Sequence, residues 1–242
     1  MNISIVIPVK NERDNIRPLA AELDQYMLRL AGQRTRFMEA IFVNDRSDDG
    51  TDKELEACCV EYPWLRAITL PCGTGKGAAL KEGFRLATGD IIVMMDGDMQ
   101  HSPADIPRII VPLLKDEADI VVAARLDFRS STWRRFLSRS LGFIFNFMFG
   151  LHLVTPNEGF KAMLAERLSS IQVDSNGFEF DLELLVKARA RGFRIEQVQI
   201  PVHERRYGES KVKTLRTICS FAIKMVELRV ARLQDSSRTM PV

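Results

Sequence analysis

The segment Asp90–Gln100 reads Asp-Ile-Ile-Val-Met-Met-Asp-Gly-Asp-Met-Gln. Its five consecutive apolar residues, 91–95, are typical of a strand buried on both faces of a parallel sheet. The run ends at Asp96 and Asp98, which flank Gly97, a residue that lets a bulky anion approach the backbone. Ligands of open α/β sheets bind at the carboxyl ends of strands, where two such carboxylates can share a hard divalent cation. Solvated turns share this spacing, so the metal interpretation depends on the rest of the chain.

The composition indicates one large α/β domain, alone or with a C-terminal appendage. The chain has 242 residues, of which 46% are hydrophobic and 27% charged. Its net charge of +2 gives no electrostatic case for nucleic-acid binding. The first apolar run lacks a preceding basic region, so no signal peptide is expected. The four cysteines (Cys58, Cys59, Cys72 and Cys219) lack Cys-x-x-Cys spacing, which predicts reduced packing residues in a cytoplasmic protein.

Apolar runs and helical patterns alternate along the chain. This alternation predicts a mostly parallel, right-handed, doubly wound sheet with helices on both faces. Strands are predicted over residues 3–8, 38–43, 65–70, 91–95, 119–124, 159–164 and 194–201. The principal helices are predicted over residues 15–30, 77–86, 104–114, 132–151, 179–191 and 214–233, with a further helix opening near residue 51.

Polar loops follow several of these strands. Residues 44–51 form an acidic loop in which Asp48, Asp49 or Thr51 can cap the following helix, whereas Asp45 at the strand tip is better placed to accept hydrogen bonds from a base or ribose. Residues 73–77 are glycine-rich and open a helix, an arrangement that suits anions. Lys76 within them can contact a diphosphate or be solvated.

Two further loops carry concentrated charge. Residues 203–211 combine arginine, glycine, serine and lysine, which is typical of a phosphate clamp. The acidic residues Glu179, Asp181 and Glu183 crowd the start of a helix, where the helix dipole accounts for most of them.

Two helices suit a lipid surface. Residues 132–151 place aromatic side chains at helical spacing beside an arginine cluster, which fits a lipid headgroup boundary or, alternatively, a core helix with arginines at one end. The uncharged stretch 140–157 is interrupted by glycine, asparagine and proline, so we interpret it as non-spanning. Residues 214–233 form a basic amphipathic helix that can rest on a membrane or a partner.

The chain resembles the inverting glycosyltransferases of family 2, and within them the dolichol- or polyprenol-phosphate mannosyltransferase branch. Seven motifs occur in family order from Ile3 to Lys211. They are Ile5-Val6-Ile7-Pro8 with Asn11-Glu12, Val43 to Thr51, Gly75-Lys76-Gly77-Ala78-Ala79, Met95 to His101, Ala124-Arg125, Gly159-Phe160-Lys161, and Arg205-x-x-Gly-x-Ser-Lys211.

The resemblance implies a GT-A fold and assigns roles to individual residues. Donor-binding residues would be Pro8, Lys10, Glu12, Val43, Asp45, Lys76, Asp96, Gly97, Asp98 and Gln100. Mg²⁺ or Mn²⁺ would be held by Asp96, Asp98 and Gln100. Acceptor-phosphate residues would be Arg125, Arg135, Ser138, Arg139, Arg205, Ser210 and Lys211. The catalytic residues would be Asp98, Arg125, Arg205 and Lys211.

The implied reaction transfers a hexose, mannose or glucose, from a GDP- or UDP-sugar to a polyprenyl phosphate with inversion. The alternatives are a family 2 transferase with a saccharide acceptor and a non-catalytic nucleotide-sugar-binding subunit. The resemblance implies a transferase domain over residues 1–211, with an amphipathic helix and tail over 212–242. It also implies a peripheral position at the cytoplasmic face of a membrane, reached through these helices, a membrane-anchoring partner or a homo-oligomer.

The chain departs from the family pattern at several positions. The family usually has Asp at Asn44 and Gly at Arg46, which leaves the donor base open. It often has Asp and Ser where Thr155 and Glu158 stand, and Arg where Lys161 stands. These last positions are expected near the sugar and the acceptor, so the sugar is also open.

Overall fold

The computed structural model describes residues 1–30, 36–125, 142–156, 158–201 and 220–230. Seven strands form a single sheet. They are β1 (Asn2–Val9), β2 (Arg36–Asn44), β3 (Leu65–Thr69), β4 (Ile91–Met94), β5 (Ile120–Arg125), β6 (Lys161–Leu164) and β7 (Ile195–Ile200).

Helices connect these strands. They are α1 (Arg13–Leu30), α2 (Thr51–Glu61), α3 (Lys76–Leu86), α4 (Ile106–Leu114), α5 (residues 142–149), α6 (Ala165–Ser169), α7 (Phe180–Ala190) and α8 (residues 220–230). A single 3₁₀ turn, Pro103–Asp105, precedes α4. The predicted elements are confirmed to within a few residues wherever the structure describes them.

The sheet has the order β3-β2-β1-β4-β6-β5-β7. All neighbouring strands are parallel except β6, which runs antiparallel to both β4 and β5. The chain leaves β5 at the carboxyl edge of the parallel strands and enters β6 from that same edge, so β6 must run in the opposite direction. As a result, the first residues of β6 lie beside the end of β4, with Lys161 opposite Met94.

Strand residues alternate between two apolar layers because successive side chains point to opposite faces of the sheet. In β4, Ile91 and Val93 join a core with α1, α2 and α4, whereas Ile92 and Met94 join a core with α3, α5, α7 and α8. Helix α1 fits its layer because Ile16, Leu19 and Leu23, spaced by three and four residues, are fully buried.

The cysteines match the sequence prediction in part. Cys58, Cys59 and Cys72 are free thiols, and Cys58 is buried in the core. Cys72 is exposed, so the prediction that it is a packing residue is wrong: it precedes the glycine-rich loop at the sheet edge, where little surrounds it. Cys219 lies outside the described residues.

Candidate active site

The loops after β1 and β2 bind one another at the carboxyl edge of the sheet. The side chain of Asn11 exchanges hydrogen bonds with Asp48, at 2.7 and 3.0 Å. The backbone N–H of Glu12 donates to Thr51 Oγ1, and that of Arg13 donates to Asp49 Oδ2. The N-cap of α2 is Gly50, so the predicted side-chain capping by Asp48, Asp49 or Thr51 is wrong; Asp49 instead accepts from the backbone N–H of Thr51, the first residue of the helix. These contacts fix the two loops as one wall.

Asp45, just after β2, holds the glycine-rich loop. Its buried carboxylate accepts from the backbone N–H groups of Thr74 (2.7 Å) and Gly75 (3.1 and 3.2 Å), and from Lys10 Nζ at 3.2 Å. Gly75 is required at this point, because its φ is +105° and an added Cβ would lie 2.6 Å from the carbonyl oxygen of Asn176. The base or ribose contact predicted for Asp45 stays a prediction.

The other predicted pocket residues differ in accessibility. Pro8 is half-buried at the end of β1, and Glu12 is buried and accepts from Asn15 Nδ2 at 2.6 Å. Val43 is fully buried and packs with Ile41 and Ala79. The Val43 side chain therefore belongs to the core, and its predicted place in the nucleotide pocket stays a prediction.

The Asp96–Gln100 segment leaves β4 between β1 and the start of β6. Asp98 is buried, and one of its carboxylate oxygens accepts from the backbone N–H of Gln100 at 3.1 Å. The Asp96 side chain is 32% exposed and lies against Gly159, where an added Cβ would come within 2.2 Å of its carboxylate. Glycine at position 159 therefore makes room for Asp96.

A chain of buried charges extends inward from Asp96. Lys76 Nζ lies 2.8 Å from Asp96 Oδ1 and 3.5 Å from Asp181 Oδ2. Asp181 in turn pairs with Lys161 Nζ at 2.5 Å, and Lys161 also donates to the carbonyl oxygen of Glu158. Positive and negative groups thus alternate from the partly exposed Asp96 to the fully buried Lys161.

The pKa values in this chain follow from the pairing. Burial alone would lower the pKa of Lys76, but the carboxylates of Asp96 and Asp181 raise it overall. Burial would raise the pKa of Asp96, and Lys76 lowers it instead. Both groups are therefore charged near neutral pH, and the solvated interpretation of Lys76 is wrong.

A second buried pair lies behind Asp96. His101 Nε2 is 2.9 Å from Glu158 Oε1, which also accepts from the backbone N–H of Gly159. The His101 ring stacks on Phe160, with ring centroids 5.0 Å apart. Two positions where the chain departs from the family pattern, Glu158 and Lys161, are thus packed around the metal-binding candidates.

Sequence reasoning missed the roles of Asp181 and Glu183. Both are buried, and the helix dipole does not account for them, since their partners are side-chain cations and loop N–H groups. Glu183 accepts from the backbone N–H groups of Asp174 and Ser175, both at 3.0 Å, and pairs with Lys187 and Lys224. The sequence did contain a sign of burial, because these two acids alternate with apolar residues in Phe180-Asp181-Leu182-Glu183-Leu184.

One predicted phosphate-binding residue lies at this edge of the sheet. Arg125 is the last residue of β5, opposite Ile200. The remainder lie outside the described residues: Arg135, Ser138, Arg139, Arg205, Ser210 and Lys211.

Helices α5 and α8 present an apolar face. Phe145 and Phe149 of α5 are buried in the core with Met225 and Leu228 of α8. The opposite sides of these helices leave apolar residues exposed, namely Phe143 (72%), Phe147 (83%), Ile144, Ile223, Val226 and Val230. Arg229 joins the two helices by donating to the carbonyl oxygen of Met148 at 2.9 Å. Within the described part of the chain, no helix has the length and hydropathy to cross a membrane.

Comparisons with known proteins agree with this arrangement. A family model described as glycosyl transferase family 2 matches residues 4–171. A dolichol-phosphate mannosyltransferase of Pyrococcus furiosus is 29% identical over 88% of this chain, and an undecaprenyl-phosphate mannosyltransferase of Micrococcus luteus is 30% identical over 81%. The alignments cover 60% and 86% of those proteins, so this chain spans about three fifths of the length of the Pyrococcus relative.

A solved structure has the same fold. The glucosyl-3-phosphoglycerate synthase of Mycobacterium tuberculosis superimposes with a TM-score of 0.71 at 23% identity, covering 96% of this chain and 79% of the synthase chain. The similarity confirms the GT-A-like fold that the sequence predicted.

Proposed function

The chain belongs to glycosyl transferase family 2, and from that premise we propose that it transfers a hexose from a nucleotide-diphosphate sugar to a polyprenyl phosphate with inversion. The observation that carries the acceptor assignment is the exposed apolar face of α5 and α8. Relatives named for dolichol and undecaprenyl phosphate support the same acceptor class. Mannose and glucose are both open, since one relative, from Trichomonas vaginalis, is named as a dolichyl-phosphate beta-glucosyltransferase.

The donor site is supported by the loops at the carboxyl edge. The wall formed by residues 10–13 and 47–51 would face the nucleoside, because ligands of open α/β sheets bind beyond the ends of the strands. The glycine-rich loop leads into α3, and the side chain of Lys76, the first residue of that helix, would contact the diphosphate. A GDP- or UDP-linked donor fits this arrangement.

The Asp96–Gln100 segment has the chemistry of a magnesium or manganese site. Its donors are carboxylate and amide oxygens, and Asp96 is accessible. Mg²⁺ is commonly held by one or two carboxylates together with substrate phosphates, which is what Asp96 and Asp98 can offer. Structures of the Mycobacterium synthase were determined with Mn²⁺ and UDP-glucose and with Mg²⁺ and UDP. A bound divalent ion would neutralise charge that develops on the departing diphosphate.

The remaining residues of the site need only bind the two substrates and orient them for the reaction. A lipid monophosphate is largely anionic near neutral pH, so no strong general base is required. Arg125, Arg205 and Lys211 are proposed to bind the donor and acceptor phosphates. Stabilisation of developing charge by such cations is the largest catalytic contribution available here.

The proposed location is the cytoplasmic face of a membrane, with peripheral attachment through α5 and α8. Phe143 and Phe147 would enter the lipid boundary, while Phe145 and Phe149 keep α5 attached to the core. The acceptor phosphate would then stay at the headgroup level, within reach of the edge of the sheet.

The test is a transfer assay with purified protein, Mg²⁺ or Mn²⁺, a short polyprenyl phosphate and a panel of labelled GDP- and UDP-sugars. We expect label in the organic phase with one donor. Slow donor hydrolysis without a lipid product would contradict the lipid acceptor and favour a saccharide acceptor. Nucleotide-sugar binding without hydrolysis or transfer to either acceptor would favour a non-catalytic subunit.

A further inference from the structure

The ammonium group of Lys76 is bound where a metal ion would have to bind. Its Nζ lies 2.8 Å from Oδ1 of Asp96, the carboxylate proposed to hold the metal. The Lys76 side chain is 13% exposed, so it is held in place and is not a mobile surface charge. A divalent ion on this oxygen must displace Lys76 or share Asp96 with a neighbouring cation.

The Lys76–Asp96 pair makes the metal ion alone a poor ligand for this oxygen. A divalent ion by itself would separate Lys76 from Asp96 and add two positive charges beside the ammonium group. The same ion with a sugar-diphosphate dianion adds no net charge and gives Lys76 a new anionic partner. Among the described residues, no group of three or more histidine, cysteine, aspartate or glutamate side chains is placed to hold a metal without other ligands.

From this geometry we infer that Lys76 is a resident counter-cation of the metal site. It occupies Asp96 in the donor-free enzyme, weakens the binding of the metal ion alone, and gives up this carboxylate readily when metal and nucleotide diphosphate arrive together. The inference rests on the proposed function for its donor, and it adds a coupling between metal and donor binding that is built into the chain itself.

Asp181 gives Lys76 a second anchor. Asp181 Oδ2 is 3.5 Å from Lys76 Nζ, and its other oxygen is bound by the fully buried Lys161. When Lys76 leaves Asp96, its charge is still balanced by Asp181. The Lys76 side chain is still 13% exposed, so its ammonium group can turn from Asp96 to a diphosphate whose metal ion is held by that carboxylate.

The test compares Lys76→Met with Lys81→Met. Lys81 lies on the same helix and donates to the carbonyl oxygen of Asp174, away from Asp96, so its removal deletes the same charge without freeing Asp96. Mn²⁺ binding is measured by the electron paramagnetic resonance signal of the free ion, without donor or acceptor. We expect Lys76→Met to bind Mn²⁺ about tenfold more tightly than wild type, which corresponds to ~1.4 kcal/mol. Lys81→Met should match wild type.

The second measurement repeats the titration with UDP and with GDP. In wild type the preferred nucleotide should tighten Mn²⁺ binding strongly, and in Lys76→Met most of this enhancement should be lost. Equal Mn²⁺ affinity in wild type and Lys76→Met, no Mn²⁺ binding by either, or equal effects of Lys76→Met and Lys81→Met would each overturn the inference. If Lys76→Met does not fold, Lys76→Gln removes the same charge and replaces it in both titrations, with the same expected results. Neither titration involves sugar transfer, so the Mn²⁺ affinities can be interpreted even if the lipid-transfer assay fails.

Discussion

Vesicle binding should depend on two phenylalanine rings of α5. Phe143 and Phe147 are 72% and 83% exposed, so little of the free energy available from dehydrating them is used in folding. Complete burial of a phenylalanine side chain contributes ~1.5–3 kcal/mol. A lipid headgroup boundary dehydrates a ring only in part, and we take ~1 kcal/mol for each. Losing both rings should therefore weaken vesicle binding about 30-fold.

The assay is co-sedimentation of the Phe143→Ser/Phe147→Ser variant with phosphatidylcholine vesicles over a range of lipid concentrations. The matched control is Val60→Ser on α2, which removes an apolar side chain that is 88% exposed on the other face of the sheet. Both variants should keep the wild-type melting temperature, because none of the three side chains is buried. Unchanged vesicle binding in the double variant, or an equal loss in Val60→Ser, would refute the assignment of this face to lipid.

Three further predictions concern the site and its support. Asp98→Ala should abolish metal-dependent donor binding in calorimetry with Mn²⁺ while circular dichroism stays unchanged; binding at wild-type strength would remove Asp98 from the metal site. Arg205→Ala should reduce kcat by ~10²–10³-fold with little change in melting temperature, since it is proposed to stabilise developing charge; turnover at the wild-type rate would contradict the phosphate clamp. Burial would raise the pKa of Glu183, but the N–H groups of residues 174 and 175 together with Lys187 lower this pKa from 4.5 to about 2. The ionised carboxylate therefore stabilises the fold above pH 4.5, and this stabilisation is lost as the pH falls towards 2. Glu183→Gln should therefore cost about 2 kcal/mol in urea unfolding at pH 7 and less at pH 3, and a pH-independent cost would show that the ion pairs are not responsible.

The strands could be predicted from the sequence because each is a short apolar run with a polar stop. Residues 91–95 are apolar throughout, and the first carboxylate after them marks the edge where ligands bind. The same reasoning placed Asp45 at the end of β2. Local patterns of this kind are sufficient to predict the strands and helices and the residues at their ends.

The partners of these residues could not be predicted, because they come from distant parts of the chain. Lys76 and Asp181 are separated by more than a hundred residues and meet only in the folded protein, where Lys76 also pairs with Asp96. Lys161 reaches the site because β6 enters from the carboxyl edge, and the direction of a four-residue strand leaves no trace in its hydrophobic pattern. Acidic residues at the start of a helix can also be explained by the helix dipole alone. This explanation gave no reason to expect the buried ion pairs of Asp181 and Glu183.

Helix α7 links the glycine-rich loop to the exposed apolar face of α5 and α8. Its Asp181 pairs with Lys76 at the start of α3, and its Glu183 holds Ser175, whose neighbour Asn176 accepts from the backbone N–H of Ala78 at 3.1 Å. Glu183 also lies 3.6 Å from Lys224 of α8. A shift of α8 would therefore act on the same carboxylate that fixes the loop over the glycine-rich segment. Because Glu183 is buried and binds residues 174 and 175, Lys187 and Lys224 at once, helix α8 and that loop share one side chain and cannot move independently without breaking one of its contacts.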